Sequence, residues 1–389
     1  MKKIIIVLFF IYLVLFPFGQ LARLPLPFLD LPEVNIYLTD IVLSFLLLFW
    51  LVWRFFINKK KYKPPFLTKP ILLFSGLALI SLLVNSFRFS GSEVLVSSLY
   101  LIRWIVYAGL YFILVDLKSE FKKALPYYLL IVGVFVALFG LIQYLIYPNL
   151  KFLESLGWDP HFYRVTSTFL DPGFAGLILA LTLILLTILS WKKQNKLWWV
   201  LWPFLFVMLL LTYSRASWLA FLVGVGTFFI YKKAFKFLFL IIVFLGLSWF
   251  YIPRPEGEGG KLERTYSVNA RLENYKQGFF VFEKNRLLGV GFNTYRYIKR
   301  DYGLIKEEES WQTNHASAGV DSSFLFVLAT TGILGFLSYF WIYFKSLKLK
   351  NILITVSLLT VVTHSFFLNS LFYPWIMAWL WILLATESS

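Results

Sequence analysis

A single arginine interrupts the apolar stretch "LLLTYSRASWLAFLVGV" at residues 209–225. Arg215 has no acidic residue within that stretch, and Ser214 before it is a residue type that favours a helix N-cap. The N-terminus of a helix attracts anions, and a guanidinium beside it adds a fixed two-pronged donor for phosphate or carboxylate. We interpret Arg215 as part of an anion site. The alternative is an arginine whose side chain reaches up to lipid phosphates.

Four further residues extend this chemistry. Arg164 precedes Asp171-Pro172, which is typical of a capped helix start, and is the best functional candidate of its connection, while Arg271 lies in the first turn of a predicted helix. Asp321 and His315 are side-chain types that accept protons in general base catalysis. Asp321 also suits the N-cap of the helix that follows it, and His315 lies in the Ser/Ala/Gly-rich stretch "HASAGVDSS".

Composition restricts the class of protein. Of the 389 residues, 59% are hydrophobic and 15% are charged, whereas soluble domains average about 25% charged residues. The chain is therefore not an ordinary water-soluble globule. It has no cysteine and three histidines, which argues against thiolate or histidine-rich metal centres, and we expect no metal ion or cofactor. The net charge of +17 would fit a nucleic-acid partner, but basic residues on membrane proteins report orientation instead.

Apolar segments divide the chain into candidate membrane spans, because crossing a bilayer core of roughly 30 Å takes about 20 apolar helical residues. The sequence predicts an all-α polytopic membrane protein with about 12 transmembrane helices. Nine fall within 1–253, a large loop with short amphipathic helices occupies 254–322, and three fall within 323–389. The first also resembles a signal peptide, although no small-residue cleavage site follows it. The predicted spans are 4–19, 36–57, 70–87, 94–115, 124–147, 173–191, 197–213, 216–231, 235–252, 323–344, 351–367 and 369–386.

Lysine and arginine are distributed differently between the two sides. Lysine clusters fall in every second connection, which the positive-inside rule makes cytoplasmic, together with both termini. The clusters are Lys2-Lys3, "NKKKYK" (58–63), "KSEFKK" (118–123), "KKQNK" (192–196), "KKAFK" (232–236) and "KSLKLK" (345–350). Most arginines fall on the other side, where a long loop escapes the rule. They are Arg23, Arg88, Arg164, Arg215, Arg254, Arg264, Arg271, Arg286, Arg296 and Arg300.

The large loop contains one clear helical pattern. Leu272, Tyr275, Phe279 and Phe282 recur at helical spacing, which predicts an amphipathic helix on the membrane surface or on the spans. The stretch "LLGVG" then ends it, because its glycines permit turn conformations that are closed to other residues. It follows no predicted strand, so a dinucleotide-binding fold is not implied.

Taken together, these segments resemble the O-antigen ligase and O-antigen polymerase family of bacterial membrane glycan transferases. The resemblance covers roughly residues 160–345. It is carried by "RVTSTFLDPGFAG" (164–176), "TYSRASWLA" (212–220), Arg271 with "LLGVG", and "DSSFLFVLATTGILG" (321–335). Members of the family often have a His-Asn pair where this sequence has Asp321-Ser322, so the base is either Asp321 or His315.

The resemblance implies a GT-C-type transferase in the cytoplasmic membrane, with an extracytoplasmic active site and no metal ion. The donor would be a glycan on undecaprenyl diphosphate, the acceptor a hydroxyl of a glycan, lipid or protein, and the lipid bilayer a partner. Arg215 and Arg271 would hold the donor diphosphate with Arg164 nearby, and the transfer would invert the anomeric configuration.

Two other classes of protein remain open on the sequence. A transporter or flippase of lipid-linked saccharides would also have twelve spans and outward arginines. It should in addition show inverted repeats and charged groups near the middle of the membrane, where Arg103 is the evident case. A purely structural membrane protein would leave the arginine distribution unexplained.

Overall fold

The computed structural model describes residues 2–24, 34–58, 62–156, 160–192, 196–253, 261–263, 265–305 and 319–387. These ranges form an all-α structure with one short antiparallel pair, β1 (Arg23–Leu24) with β2 (Ile36–Tyr37). The helices are α1 (Lys2–Leu15), α2 (Leu38–Val52), α3 (Thr68–Asn85), α4 (Gly91–Val115), α5 (Ser119–Ile146), α6 (Pro172–Lys192), α7 (Lys196–Leu210), α8 (Arg215–Tyr231), α9 (Phe235–Tyr251), α10 (Tyr266–Lys284), α11 (Tyr295–Asp301), α12 (Ser323–Leu347), α13 (Ile352–His364) and α14 (Pro374–Leu384).

Each predicted span overlaps one apolar helix of the structure. Within the described ranges, seven helical segments are long and apolar enough to cross a membrane, and five apolar helices are shorter. The prediction of a multi-pass, all-α membrane protein is confirmed. The exact number of spans stays a prediction, because a short helix can cross a bilayer only if other elements complete the passage. The remaining two helices, α10 and α11, lie in the predicted large loop.

Helix α6 is the centre of the bundle. Its apolar segment is 89% buried, and it packs against α5, α7, α8 and α13. Small side chains bring the backbones close: Gly176 of α6 faces Ser217 of α8, and Gly224 of α8 faces Thr360 of α13. Close backbone approach through small residues is the usual mode of helix packing in membranes, where the hydrophobic effect does not drive one helix against another. The first turns of α6 and α8 are thereby fixed relative to each other.

The charge at Arg103 is neutralised within the bundle. Its Nη2 lies 2.7 Å from Oδ2 of Asp40 on α2, and the Tyr107 hydroxyl donates to the other carboxylate oxygen at 2.9 Å. Arg103 also donates to the carbonyl of Asn35. Because both charges are paired and hydrogen-bonded, this site joins α2 to α4. It gives no support to the transporter alternative, which needs charged groups along a path.

Candidate functional site

The connection between α7 and α8 presents Arg215 at the start of a helix. Tyr213 turns the chain with φ of +50°, and Ser214 caps α8 by accepting a hydrogen bond from the backbone N–H of Ser217 at 3.3 Å. Arg215 is the first residue of α8, as the sequence predicts. The cap is a neutral hydroxyl, so the positive potential of the helix N-terminus is not cancelled by a carboxylate.

Arg164 holds this connection in place. Its guanidinium is buried and donates to the carbonyl of Thr212 at 3.0 Å and towards the carbonyl of Tyr213. The next residue, Val165, donates its backbone N–H to the carbonyl of Leu211 at 2.9 Å. A cation at the carbonyl end of a helix is favourable, because the last carbonyls carry partial negative charge. Arg164 therefore stabilises the end of α7 and the turn that presents Arg215.

Tertiary structure gives Arg215 neighbours that the local sequence lacks. The Nη1 atom donates to the carbonyl of Leu262 at 3.0 Å, and the carboxylate of Glu263 is close enough to attract the guanidinium. Arg271 is close enough to repel it. Two of the predicted anion ligands, from separate segments, thus lie within electrostatic range of each other, and a multiply charged anion beside both would relieve their mutual repulsion.

Helix α10 connects the arginine side of the site to Asp321. The predicted amphipathic helix exists, and one face of it holds the chain before α12. Asn274 accepts the backbone N–H of Asp321 at 2.8 Å, and the Tyr275 hydroxyl donates towards the Asp321 carbonyl at 3.3 Å. Arg271 is three and four residues before these two contacts, so all three lie on the same side of the helix. Among the described residues, none accepts a hydrogen bond from Arg271.

The buried face of α10 is shifted from the predicted apolar stripe. Leu272 and Phe279 are about half exposed, at 52% and 50%. Gly278 and Val281 are buried instead, and Gly278 lies against Leu325 of α12. The absence of a side chain at Gly278 allows the helix to approach α12 closely, which decides the orientation. Leu272 and Phe279 then face outward, as expected for a helix at a membrane surface.

Asp321 is half-buried and precedes the cap of α12. The N-cap is Ser322, whose hydroxyl accepts the N–H of Leu325 at 3.4 Å, so capping does not require the Asp321 carboxylate. Burial raises the pKa of the Tyr275 hydroxyl, Arg271 opposes that rise, and Asp321 adds to it. Burial and Asp321 also raise the pKa of Tyr295. Asp321 thus lies within electrostatic range of both tyrosines, while His315 lies outside the described residues.

The "LLGVG" turn docks into a break in α12. At Gly332 the helix backbone has a φ of +65°, and the hydrogen bonds lost there are replaced across the two segments. Val290 and Gly291 donate to the carbonyls of Ala329 and Thr330, while Ile333 and Leu334 donate to those of Arg286 and Leu287. Four backbone groups on each side are satisfied in this way, as buried backbone groups require. The junction fixes the C-terminal end of α10 to α12.

A buried polar cluster beneath the site was not predicted. His364, at the end of α13, contacts the Ser217 hydroxyl through Nε2 at 3.1 Å and the Ser370 hydroxyl through Nδ1 at 2.6 Å. Ser217 also donates to the carbonyl of Gly173 at 3.0 Å. The sequence offers a weak signal, a histidine in the last turn of an apolar helix, and only the tertiary structure shows what it contacts. Asp171 caps the adjoining α6, as predicted, through the N–H groups of Gly173 and Phe174.

Residues 200–340 match the family model described as O-Antigen ligase. That region of the chain is similar to the O-antigen ligase family. The match confirms the family predicted from the motifs. A comparison with curated proteins gives no match.

The O-antigen ligase region contains Arg215, Arg271, Asp321 and the junction between α10 and α12. Arg164 precedes this region in the sequence and His364 follows it. Both contact it, Arg164 at the carbonyl of Thr212 and His364 at the hydroxyl of Ser217. Across the described residues, no three His, Cys, Asp or Glu side chains are grouped so that they would hold a metal ion. The groups that this region brings together are cationic and hydrogen-bonding, with the carboxylates of Glu263 and Asp321 close by.

A cavity of about 300 Å³ lies elsewhere, between α2 and α4. Apolar side chains and the Arg103–Asp40 pair line it, whereas Arg215, Arg271 and Asp321 do not. Of the predicted site residues, Arg215 lies within electrostatic range of Arg271, and Arg271 and Asp321 both act on the Tyr275 hydroxyl. The cavity belongs to a separate part of the bundle.

The junction between α10 and α12 yields a prediction about Gly289. Its φ is +67°, and an added Cβ would lie 2.4 Å from the Thr330 carbonyl carbon. We expect Gly289→Ala to destabilise the protein by about 2–4 kcal/mol, from backbone strain and overpacking, and to reduce activity further by displacing α10. Thermal unfolding in detergent measures the first effect.

Gly246→Ala in α9 is the matched control, because a Cβ there would meet no atom within 4 Å. That change should leave stability unaltered or raise it by up to about 1 kcal/mol, since alanine favours the helix. Equal unfolding temperatures for the two variants would contradict the proposed role of the junction.

Proposed function

We propose that this chain is a membrane glycosyltransferase. It transfers a glycan from a polyprenyl-diphosphate donor to an acceptor hydroxyl at the outer face of the cytoplasmic membrane. The single observation that carries the proposal is the approach of Arg215, at the uncancelled positive end of α8, to Arg271 on the helix that also holds Asp321. The O-antigen ligase family of residues 200–340 supports a role in handling membrane glycans.

The proposed topology has twelve spans with the large loop outside. In it, residues 1–253 and 323–389 form the membrane domain, 254–322 form the extracytoplasmic loop, and both termini are cytoplasmic. The alternation of lysine clusters along the sequence supports this arrangement. Contacts such as Lys345 over the Phe66 ring and Lys2 over the Trp53 ring are consistent with it, because these lysines belong to connections that the proposal puts on one side.

A diphosphate suits the two arginines better than a single carboxylate does. A donor diphosphate carries at least two negative charges, so it can neutralise both guanidinium groups and also accept N–H groups from the start of α8. When the glycan leaves, further negative charge develops on the diphosphate oxygen. Preorganised cationic donors stabilise such charge most strongly in a site that excludes water. Arg215 and Arg271 would supply this stabilisation, and Arg164 would act on the site through the turn that it holds.

The proposed reaction is an inverting displacement. Asp321, or alternatively His315, accepts the proton of the acceptor hydroxyl, whose oxygen forms a bond to the anomeric carbon of the donor. The bond between that carbon and the diphosphate oxygen breaks, and its electron pair leaves with the polyprenyl diphosphate. The position of Asp321, anchored through its own backbone by Asn274 and Tyr275, supports it as the base. Glycan, lipid and protein acceptors are all compatible with this chemistry.

Transfer is tested with the purified protein in nanodiscs. The protein is incubated with a polyprenyl-diphosphate oligosaccharide and one acceptor of each class, and the products are identified by mass spectrometry. Formation of a glycosylated acceptor with release of polyprenyl diphosphate is the expected result. Movement of the intact donor across a sealed bilayer, without any transfer, would favour the transporter alternative instead.

Replacing Arg215 by lysine separates charge from geometry. Arg215→Lys keeps the positive charge but loses the planar fork, so we expect transfer to fall by about 10- to 100-fold. Arg286→Lys, at an exposed arginine beyond the end of α10, is the matched control and should transfer as the wild type does. Wild-type rates for Arg215→Lys would rule out a bidentate contact.

Removal of the proposed base affects the chemical step. Asp321→Asn should lower kcat by about 10²- to 10⁴-fold while leaving donor affinity unchanged, because the amide cannot accept the proton. Glu283→Gln, an exposed acid of α10, serves as the control. A large loss in His315→Ala together with near-normal activity in Asp321→Asn would instead identify His315 as the base.

The topology can be tested without background labelling, because the chain has no cysteine. Glu283→Cys and Lys123→Cys place single thiols at exposed positions in the large loop and in a lysine cluster. A membrane-impermeant maleimide should label Glu283→Cys in intact cells and Lys123→Cys only after the membrane is opened. The reverse pattern would invert the proposed orientation.

A further inference from the structure

We propose that His364 is a positioning residue, which fixes the first turn of α8 and with it the Arg215 guanidinium for diphosphate binding. The inference rests on the proposed function and deepens it. His364 is fully buried and contacts neither arginine through a hydrogen bond. Its influence on Arg215 passes through Ser217, two residues further along the same turn.

The directions of the hydrogen bonds follow from the partners. The carbonyl of Gly173 can only accept, so the Ser217 hydroxyl uses its single hydrogen there. Ser217 Oγ is then an acceptor towards both Ser214 and His364, at 2.8 and 3.1 Å. His364 Nε2 therefore carries a hydrogen, and in a neutral ring Nδ1 accepts from the Ser370 hydroxyl at 2.6 Å.

This arrangement links four elements by one chain of donors. The chain runs from Ser370, before α14, through His364 of α13 and Ser217 of α8 to the first turn of α6. Every polar atom in it has a partner, which a buried network needs if it is to stabilise one geometry. Burying a charged imidazolium is costly, so a neutral ring suits this fully buried position. The network thereby holds the first turn of α8, which faces the proposed donor, in one geometry.

The cluster also connects to Asp321 through the backbone. Ser365, next to His364, accepts the backbone N–H of Ser323 at the first turn of α12, at 2.9 Å. The Tyr275 hydroxyl shares its single hydrogen between the carbonyls of Asp321 and of Phe366, one residue later. The end of α13 therefore contacts the three elements that carry Arg215, Arg271 and Asp321. His364, at the end of α13, is therefore placed where it can set the relative positions of these three elements.

Two substitutions separate the donor function of His364 from its bulk. His364→Gln keeps an N–H near the Nε2 position, whereas His364→Leu keeps volume and loses both polar atoms. Binding of a glycan-free polyprenyl diphosphate to the protein in nanodiscs is measured by microscale thermophoresis, beside the transfer assay. We expect His364→Leu to weaken binding by about fivefold to tenfold and His364→Gln to stay within about threefold of the wild type.

Ser357→Ala is the matched control on the same helix. Ser357 is buried and its hydroxyl has no hydrogen-bond partner among the described residues, so its removal leaves the chain of donors intact. Its binding should equal that of the wild type. If His364→Leu does not fold, Ser217→Ala removes the acceptor of the same hydrogen bond with a smaller change of volume and should weaken binding similarly.

Several results would overturn the inference. Wild-type binding by His364→Leu would do so, as would equal losses in His364→Leu and His364→Gln, because the second keeps the donor. A matching loss in Ser357→Ala would show a general packing effect. Wild-type protein that binds the diphosphate but transfers no glycan would refute the transferase and leave the role of His364 to be judged from binding. Wild-type protein that binds no diphosphate would refute both.

Discussion

The site depends on a repulsion between like charges. Arg215 lies at the positive end of α8 and within electrostatic range of Arg271, while one carboxylate, Glu263, is near enough to attract it. Such an arrangement is unfavourable in the free protein and becomes favourable when a multiply charged anion enters. A carboxylate cap would offset the positive potential of a helix N-terminus, and Asp171 provides such a cap at α6. Ser214 instead caps α8 with a neutral hydroxyl. The rest of the structure serves to keep these charges near each other.

Backbone hydrogen bonding explains how a loop helix is held so firmly. A break in a membrane helix exposes carbonyl and N–H groups that must find partners, since none are available from lipid. In α12 the partners come from residues 286–291, directly after α10. The two glycine-containing segments that first indicated the family are therefore two halves of one junction. This is a physical reason for their occurring together, and it makes the position of Arg271 depend on the fold of α12.

Arginines that look alike in the sequence have different environments. Arg103 forms an ion pair with Asp40 and joins two helices, whereas Arg164 donates to the carbonyls at the end of α7. Arg271 donates to no partner among the described residues and shares its surroundings with Arg215. The paired and capping arginines are buried or nearly so, and those near Asp321 are half-buried. The degree of burial, rather than the residue type, separates the arginines that support the fold from the two that repel each other near Asp321.

The sequence by itself determined the class of fold, because each membrane helix needs a long apolar run that can be read without knowing its neighbours. It also determined the start of α8 at Arg215, the cap of α6 at Asp171 and the existence of α10, all of which depend on residues within a few positions of one another. Only the tertiary structure decided that Gly278, and not Phe279, faces α12, that Arg164 supports a turn, and that His364 reaches Ser217. These contacts join residues far apart in the chain, and short-range patterns carry no information about which distant surfaces will meet.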